Sequence, residues 1–300
     1  MEESLLFTGG TGFLGYNCRP VLDQHYKVTT CGITEADEIK ANLAKEVPVL
    51  PCRYDVVLHA CGKAHVVPKT EEEKKQFYDI NYQGTVNLCA ALEKAGTPKS
   101  LVFISTASVY GLDNGEMISE NTPLLADTPY GKSKVMAEEY LQKWCNDNHV
   151  ILTILRPSLM AGKNAPGNLG AMVNGIKKGY YVNIAGGKAR KSLMMAEDIA
   201  NLVLLAEDKG GIYNVCDDDH PSYKELSVVI AKQLGKKPPL SIPYWMAWCM
   251  AKVGDCLGKK FPFNSYRLEK LTKPATFSNE KAKKELGWKP MSVLESFQVE

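Results

Sequence analysis

The chain has 300 residues, of which 45% are hydrophobic and 23% are charged, and its formal net charge at pH 7 is +2. A chain of this length and composition can bury a large core, either as one large domain or as two unequal domains. The nearly balanced charge gives no sign of a nucleic-acid-binding surface or an acidic tail, so we expect no nucleic-acid partner.

The cysteines and the amino terminus indicate the cellular compartment. The nine cysteines include no C-x-x-C pair and no cluster with histidine at zinc-ligand spacing, so we expect no metal site. An odd number of cysteines in a chain of this size indicates a reducing compartment. Residues Met1–Ser4 lack the features of a signal peptide, and no apolar run is long enough to span a membrane. We therefore predict a cytoplasmic protein without a membrane span.

Short apolar strands alternate with amphipathic helices through the first half of the chain. The predicted strands are Leu5–Thr8, Tyr26–Cys31, a short Ile39–Leu43, Asp55–Ala60, Leu101–Ser105 and Val150–Leu155. The predicted helices are Phe13–Gln24, Lys74–Ala95 and Tyr130–Asn146. This alternation predicts an α/β fold of Rossmann type, a doubly wound parallel sheet covered on both faces.

The pattern changes after Arg156-Pro157, where glycine-rich connections replace the regular alternation. A helix at Ala196–Glu207 and a strand at Gly211–Cys216 follow, and the last third is rich in lysine and proline. We predict one domain over residues 1–160, to which residues 192–216 return, and a smaller, mostly helical domain over residues 161–300. The Trp- and Met-rich segment 242–251 is expected to be a core helix of the smaller domain, with an interfacial or subunit-contact helix as the alternative.

A glycine-rich turn follows the first strand and opens the first helix. Its glycines, Gly9, Gly12 and Gly15, have the spacing G-x-x-G-x-x-G. Such a turn lets backbone approach a pyrophosphate, and the helix amino terminus donates amide hydrogens to the anion. Because the turn lies between a strand and a helix, it predicts that the first domain binds a dinucleotide.

The end of the second strand bears on the choice between NAD and NADP. An acid at this position accepts hydrogen bonds from the adenosine ribose in NAD-binding folds, but here the position is Gly32. Acids follow only later, at Glu35, Asp37 and Glu38, and no arginine is placed for a ribose phosphate. The sequence therefore leaves NAD and NADP as alternatives.

Tyr130 and Lys134 form the candidate catalytic pair. Four residues apart on a helix, they point the same way, which places an ammonium beside a phenol. A positive charge favours the phenolate, and the hydroxyl of Thr106 can hold a substrate oxygen against it. The arrangement predicts proton exchange with an alcohol or ketone while a hydride moves elsewhere.

The order of these motifs resembles the extended short-chain dehydrogenase/reductase family of sugar-nucleotide epimerases, dehydratases and reductases. The matching segments are T-G-G-T-G-F-L-G at 8–15, Asn81–Thr85, S-T-A-S-V-Y-G at 105–111, Y-G-K-S-K at 130–134, Leu155–Pro157 and Phe277–Pro290. The resemblance implies Thr106, Tyr130 and Lys134 as catalytic residues. It implies a cofactor set of Gly9, Thr11, Gly12, Phe13, Leu14, Gly15, Gly32, Asn42, His59, Ala60, Cys61, Asn81, Ser105, Tyr130 and Lys134.

The same resemblance implies a nucleotide-sugar substrate and a homodimer. The substrate-binding residues would be Thr106, Asn168, His65 and a cation near the substrate diphosphate, either Arg190 or Lys191. This cation segment is a loose match to the family pattern. The homodimer would form through the helices Asn81–Ala95 and Tyr130–Asn146.

The residues after Thr106 narrow the reaction. Family dehydratases carry an Asp-Glu pair there, whereas this chain has Ala107 and Ser108, which argues against elimination of water. A 4-epimerase of a nucleotide-linked hexose and an NADPH-dependent 4-keto-sugar reductase use the same remaining parts; we expect the epimerase and keep the reductase as the alternative. A non-catalytic nucleotide sensor is the third hypothesis, although all three catalytic side chains are present.

Overall fold

The computed structural model describes residues 3–64, 66–257 and 263–299. The strands in chain order are β1 (Glu3–Thr8), β2 (Tyr26–Gly32), β3 (Ile39–Lys40), β4 (Val56–His59), β5 (Ser100–Ile104), β6 (Gly115–Ile118), β7 (Ile151–Pro157), β8 (Leu159–Ala161), β9 (Asn183–Ile184), β10 (Leu193–Met195), β11 (Gly211–Val215), β12 (Ser241–Ile242) and β13 (Ala275–Phe277). The α-helices are α1 (Phe13–Leu22), α2 (Glu71–Phe77), α3 (Gly84–Ala95), α4 (Pro129–Asp147), α5 (Gly167–Lys178), α6 (Asp198–Ala206), α7 (Tyr223–Gln233), α8 (Tyr244–Leu257), α9 (Ser265–Thr272), α10 (Glu280–Leu286) and α11 (Val293–Ser296).

The central sheet has seven parallel strands in the order β11-β7-β5-β4-β1-β2-β3. The chain runs outward from β1 to β3, and then crosses back to build β4, β5 and β7 on the other side. The direction of winding therefore reverses between β1 and β4, and ligands of such sheets bind at the carboxyl ends of the strands next to this reversal. The predicted Rossmann-type parallel sheet is confirmed.

The buried strands present apolar side chains to both faces of the sheet. On β1, Leu5 and Phe7 join the core that includes residues of α1, α6 and α10, whereas Leu6 joins the core built with α3 and α4. The neighbouring strands β4 and β5 alternate in the same way. Successive strand residues point to opposite faces, so this double-sided burial explains why the strands read as continuous apolar runs.

The region predicted as one helix over residues 74–95 contains a change of helical type. α2 begins at Glu71 with a capping box from Thr70, the π-helical turn Tyr78–Gln83 follows, and α3 continues to Ala95. A π-turn adds a residue to a helical turn and rotates the side chains around it. Its buried polar residue is Asn81.

The chain beyond β7 divides between the sheet and a separate apolar core. β11 is the edge strand of the central sheet, and α6 packs in the same core as α1. Residues of α5, α7, β10 and α11 form another core. The parallel pairs β10-β8, β12-β9 and β13-β6 complete this part of the structure. Within the described ranges, no helix combines the length and the apolarity that crossing a bilayer requires.

A buried ion pair joins α4 to the sheet. Arg156 on β7 donates from Nη2 to Glu138 Oε2 at 2.6 Å and from Nε to Glu138 Oε1 at 3.1 Å. Ser105 also donates to Glu138, and Arg156 Nη1 donates to the phenol of Tyr110 at 3.1 Å. The Tyr110 phenol in turn donates to Asn214 Oδ1 on β11 at 2.6 Å. Every member therefore has a partner, as a buried polar network requires.

Removing the carboxylate of Glu138 leaves the Arg156 charge buried and unpaired. We therefore expect Glu138→Ala to lower the free energy of unfolding by about 3–5 kcal/mol, measured by urea denaturation. The exposed neighbour Glu139 is the control, and Glu139→Ala should change it by less than about 0.5 kcal/mol. Equal effects of the two substitutions would contradict this account, and Glu138→Gln provides a milder version if the alanine variant does not fold.

His59 is a second buried polar group, and it ties β4 to β1 and α3. Its Nδ1 lies 2.7 Å from Thr8 Oγ1 and its Nε2 lies 2.9 Å from Thr85 Oγ1, while its ring stacks on Phe103. Burial lowers the pKa of His59 from 6.5 to about 3, and the charge of Lys134 acts in the same direction. The imidazole is therefore neutral in the fold.

This lowered pKa makes the stability of the fold sensitive to acid. Below pH 6.5 His59 is protonated in the unfolded chain but stays neutral in the folded protein. The free energy of unfolding therefore falls as the pH drops towards 3. Between pH 7 and pH 5 the wild type should lose about 2 kcal/mol more than His59→Gln. Urea denaturation at both pH values measures the difference, and parallel losses would disprove the assignment.

Candidate active site

The glycine turn after β1 is held at the carboxyl edge of the sheet. Gly9 has a φ of +76° and donates its N–H to Cys31 O at 2.9 Å, and a Cβ at Gly9 would lie 3.0 Å from the Cys61 nitrogen. A Cβ on Gly15 would lie 1.7 Å from the carbonyl oxygen of Gly10. The turn therefore requires glycine for close backbone packing. Sequence reasoning missed Gly10, where a Cβ would lie 2.7 Å from Thr30 Cγ2.

The amino terminus of α1 opens directly from this turn. Gly12 occupies the N-cap position in extended conformation and supplies no side-chain hydrogen bond to the helix. The first amides of α1 have no intrahelical acceptor, and this is the arrangement in which helices bind anions. Phe13 is half-buried at the start of the helix, whereas Leu14 packs into the core. Thr11 is exposed beside the turn.

A carboxylate lies over the end of β2, although the sequence position itself is Gly32. The loop after β2 turns back so that Asp37 Oδ2 would lie 2.6 Å from a Cβ on Gly32. This oxygen accepts from Thr34 N at 3.0 Å, from Thr34 Oγ1 at 2.8 Å and from Thr11 Oγ1 at 3.2 Å. Asp37 is 8% exposed, and its other oxygen, Oδ1, is buried without a hydrogen-bond partner. The sequence correctly places the acids only after Gly32, but it does not show that the loop brings one of them, Asp37, back over the end of the strand.

Thr106 and Tyr130 are brought together by two helix starts. Thr106 follows β5 and caps a short 3₁₀ turn by accepting from Ser108 N at 3.2 Å. α4 starts at Pro129 with Thr128 as its cap, since Thr128 Oγ1 accepts from Gly131 N at 3.1 Å. A Cβ on Gly131 would lie 2.8 Å from Ser108 O, so the two turns pack backbone against backbone.

The Tyr130 phenol is partly shielded from solvent. Its ring lies 6.1 Å from that of Phe77. Burial raises the pKa of Tyr130, and a hydrogen bond with the Thr106 side chain opposes that effect. The sequence led us to expect a phenol whose pKa is lowered by Lys134. In this structure the loss of hydration dominates, because burial disfavours the charged phenolate.

Lys134 is buried one turn further along α4. It is 4% exposed, donates from Nζ to the carbonyl of Ile104 at 2.8 Å, and lies 4.6 Å from the centre of the Phe103 ring. Burial lowers the pKa of Lys134 to about 8, against the opposing effect of Cys61 and Glu138. The ammonium is therefore directed to the carboxyl end of β5, the strand end that precedes Thr106.

Asn81 joins α4 to the loop after β4. Its Nδ2 donates to Ser133 Oγ at 2.9 Å and to Lys63 O at 3.1 Å, while its Oδ1 accepts from Lys63 N at 2.6 Å. Ser133 Oγ in turn donates to the carbonyl of Tyr130 at 2.8 Å. Both polar atoms of the Asn81 side chain are therefore hydrogen-bonded within the protein. Gly62 lies in the same loop, where a Cβ would be 3.3 Å from Lys134 Nζ.

The side chains of three other residues in the predicted cofactor set are hydrogen-bonded to neighbouring residues of the protein. The His59 ring is enclosed between Thr8 and Thr85, and the Ser105 hydroxyl is buried against Glu138. Asn42 caps the turn after β3 by accepting from Ala44 N at 3.1 Å. Ala60 and Cys61 are partly exposed at the end of β4, where their backbone contacts Gly9.

The predicted substrate cations have different environments. Arg190 is exposed, and it donates to His220 O at 3.0 Å and lies 3.6 Å from Glu225 Oε2. Lys191 is less exposed, and its Nζ donates to Lys273 O at 3.0 Å. Burial lowers the pKa of Lys191 to about 8; the charge of Asp113 opposes this effect, and the charge of Lys270 adds to it. Sequence reasoning missed Lys270, because it lies far from the motif along the chain.

Asn168 and His65 complete the predicted substrate residues. Asn168 is exposed in the first turn of α5, whose N-cap makes no side-chain hydrogen bond. His65 lies outside the described residues.

The carboxyl edge of the sheet fits a dinucleotide on observations independent of the motif. Gly10 and Gly15 let the turn pack so closely that any side chain there would collide, and α1 begins without a side-chain cap. Asp37 offers a buried acceptor at the end of the neighbouring strand. Phosphate and ribose are the two groups that such donors and acceptors bind.

The fold and sequence have close counterparts among known proteins. A UDP-glucose 4-epimerase structure from Thermotoga maritima superposes with a TM-score of 0.74 at 21% identity, covering 97% of this chain and 95% of that one. An N-acetyl-alpha-D-glucosaminyl-diphospho-ditrans,octacis-undecaprenol 4-epimerase from Escherichia coli O157:H7 is 28% identical, covering 94% of this chain and 89% of the relative. A UDP-glucose 4-epimerase from Vibrio cholerae is 27% identical, covering 98% and 93%. Residues 5–216 match the model of the NAD dependent epimerase/dehydratase family, and the chain belongs to that family.

Proposed function

We propose that this protein is a 4-epimerase of a hexose or N-acetylhexosamine linked to a nucleotide diphosphate. The observation that carries the proposal is the placement of Thr106, Tyr130 and Lys134 beside the carboxyl edge that fits a dinucleotide. Membership of an NAD dependent family and the two 4-epimerases among the relatives support the same reaction. Ala107 and Ser108, in place of an acid pair, argue against dehydration.

The side chains divide the proton chemistry between them. The Tyr130 phenol would take the proton from the sugar 4-hydroxyl and return it, with the Thr106 hydroxyl holding the same oxygen. Lys134 would hold its positive charge at the carboxyl end of β5, where it donates to the carbonyl of Ile104, and the Thr106 hydrogen bond opposes the effect of burial on the pKa of Tyr130. A nicotinamide ring, when bound, supplies the hydride acceptor.

The substrate diphosphate requires cations, and Lys191 is the better candidate of the predicted pair. Arg190 is already engaged with Glu225 and two carbonyls, whereas Lys191 donates, among the described residues, only to the carbonyl of Lys273. Its neighbour Lys270 is paired with Asp113 at 2.8 Å. The charge of Lys191 would pair with a diphosphate and not with a neutral ligand. Asn168 would add an amide donor from the first turn of α5.

We also propose a cytoplasmic homodimer. α3 and α4 pack against each other on one face of the sheet, and the same two helices from a second subunit would complete a four-helix bundle. All nine cysteines are free thiols, which supports a reducing compartment. We also propose that residues 1–160, together with residues 192–216, form one domain and that the rest of residues 161–300 form a second, smaller domain.

The epimerase and the alternative reductase differ in their need for added cofactor. An epimerase returns the hydride that it takes, so the purified protein loaded with NAD should convert UDP-N-acetylglucosamine or UDP-glucose to its 4-epimer with no reductant. Product analysis by NMR distinguishes the epimers. Turnover only of a 4-keto sugar, and only with NADPH, would support the reductase, and no turnover of either would favour a sensor.

Replacement of the phenol tests the catalytic assignment within that assay. Tyr130→Phe keeps the ring but removes the exchanging oxygen, so we expect kcat to fall by about 10²–10⁴-fold while NAD binding persists. Tyr140→Phe on the same helix is the control, because Tyr140 contacts Tyr82 and lies away from Thr106. A fully active Tyr130→Phe enzyme would remove Tyr130 from the mechanism.

Asp37 supports NAD as the preferred cofactor. Its buried Oδ1 can accept from a ribose hydroxyl, and the carboxylate would repel a ribose phosphate. A hydrogen bond to a charged group contributes about 1.5–3 kcal/mol, so Asp37→Asn should weaken NAD binding about 10- to 100-fold. The same substitution should reduce the preference of the protein for NAD over NADP.

Calorimetric titration of the cofactor-free protein with each dinucleotide measures this preference. Glu35→Gln in the same loop is the control, because Glu35 is exposed and pairs with Lys40. NADP binding as tight as NAD binding in the wild type would exclude the role given to Asp37. Thermal unfolding of Asp37→Asn checks that the loop through Thr34 still folds.

A further inference from the structure

Helix α8 has an unusual distribution of side chains. Its large apolar residues are exposed: Tyr244 54%, Trp245 66%, Met246 38%, Trp248 46%, Met250 46%, Val253 54% and Leu257 60%. Its buried residues are Ala247, Ala251 and Gly254. The expectation of a core helix at 242–251 was therefore wrong for the large side chains. A helix of a soluble domain normally buries its large apolar residues and exposes its polar ones.

The inward face explains how α8 is held. Ala247 and Ala251 pack against Leu268 of α9, together with Ile184 and Ile242. Small residues one turn apart let two helices approach closely, so α8 is fixed to the domain without using its tryptophans. The outward apolar surface is thus not needed for the packing of α8, and contiguous exposed surfaces of this kind mark interaction sites.

The charges around α8 indicate what the surface contacts. Residues 236–273 contain eight Lys or Arg but only two Asp or Glu, although the whole chain has a net charge of only +2. Lys252, Lys270 and Lys273 form salt bridges with carboxylates, whereas Lys236 and Lys237 precede the helix and are exposed. Tryptophan, tyrosine and methionine flanked by lysine are typical of helices that lie in the headgroup region of an anionic bilayer.

We propose that α8 docks the protein on an anionic membrane surface. The helix lies parallel to the bilayer, with Trp245 and Trp248 at the boundary between headgroups and acyl chains and with Lys236 and Lys237 on lipid phosphates. It buries its outward face without entering the span of the membrane. A second copy of the chain would cover the same apolar surface, but the excess of lysine around the helix would repel an identical surface.

The docking helix lies next to the proposed substrate site. α8 packs against α9, and Lys191 donates from Nζ to the carbonyl of Lys273, the C-cap residue of α9, at 3.0 Å. One helix therefore separates the membrane face from the cations proposed for the diphosphate. This step depends on the proposed function: at the membrane, the diphosphate would belong to a lipid-linked sugar and not only to a free nucleotide.

Flotation of the full-length protein with lipid vesicles tests the docking. Wild type should float with vesicles containing phosphatidylglycerol, bind those of phosphatidylcholine about tenfold less, and dissociate at high salt. Trp245→Ser/Trp248→Ser should reduce binding by at least about tenfold, because it removes the largest aromatic surfaces. Tyr180→Ser/Val49→Ser is the matched control, since these apolar residues are 66% and 88% exposed outside α8.

Tryptophan fluorescence gives a second measurement on the wild type. The chain has four tryptophans, and the other two, Trp144 and Trp288, are only 5% and 3% exposed. A blue shift on addition of anionic vesicles therefore reports Trp245 and Trp248. Absence of both the shift and flotation would overturn the proposal. A tryptophan variant that turns a dimer into a monomer, with unchanged vesicle binding, would assign the surface to a second copy instead.

The docking and the proposed reaction can fail independently. The tryptophan variant should epimerise a soluble UDP-sugar at the wild-type rate, but it should turn over a polyprenyl-diphosphate sugar in vesicles at least about fivefold more slowly. Equal rates for the vesicle substrate would disprove the lipid carrier. If no variant epimerises either substrate while flotation persists, the proposed function is wrong and the docking surface remains.

Discussion

Two buried charges on one face of α4 fix the geometry on which the candidate site depends. Lys134 and Glu138 are one helical turn apart and almost fully buried. Each is satisfied from the sheet, Lys134 by the carbonyl of Ile104 and Glu138 by Arg156 and Ser105. Sliding α4 along the sheet would leave a buried charge unpaired, which is a large penalty. The register of α4, and with it the position of Tyr130, is therefore held by electrostatics as well as by apolar packing.

The other half of the site depends on glycines, which have no side chain and so let segments of the backbone pack closely. Gly10 and Gly15 bring the turn after β1 against α1, Gly131 brings α4 against the turn of Thr106, and Gly62 leaves room for the Lys134 ammonium. These close approaches bring the turn after β1, the start of α1 and the start of α4 to one edge of the sheet. Charged groups are buried next to this edge, while the edge itself remains able to accept a phosphate-bearing ligand. The combination explains how a single sheet edge serves both binding and proton transfer.

Helix α8, in the part of the chain after β7, is packed differently from the elements of the central sheet. α8 is attached through alanine and glycine, so its aromatic residues remain outside the fold. In the sheet domain, by contrast, the largest apolar side chains are enclosed, among them Phe7, Phe77 and Phe103. A helix that contributes so little apolar surface to its own domain is best explained by a contact beyond the protein. Lys191 also contacts this part of the molecule, because it donates to the carbonyl of Lys273 at the end of α9, the helix against which α8 packs.

The sequence by itself determined the parallel sheet, the order of most strands and helices, the glycine turn and the residues Thr106, Tyr130 and Lys134. These features depend on local periodicity and on short spacings, which can be read along the chain. The tertiary structure decided which side chains face the site. It enclosed His59 and Ser105, brought Asp37 back over Gly32, placed Lys270 beside Lys191 and turned the tryptophans of α8 outward. Each of these outcomes depends on a loop path or on packing between distant elements, and neither leaves a periodic signal in the sequence.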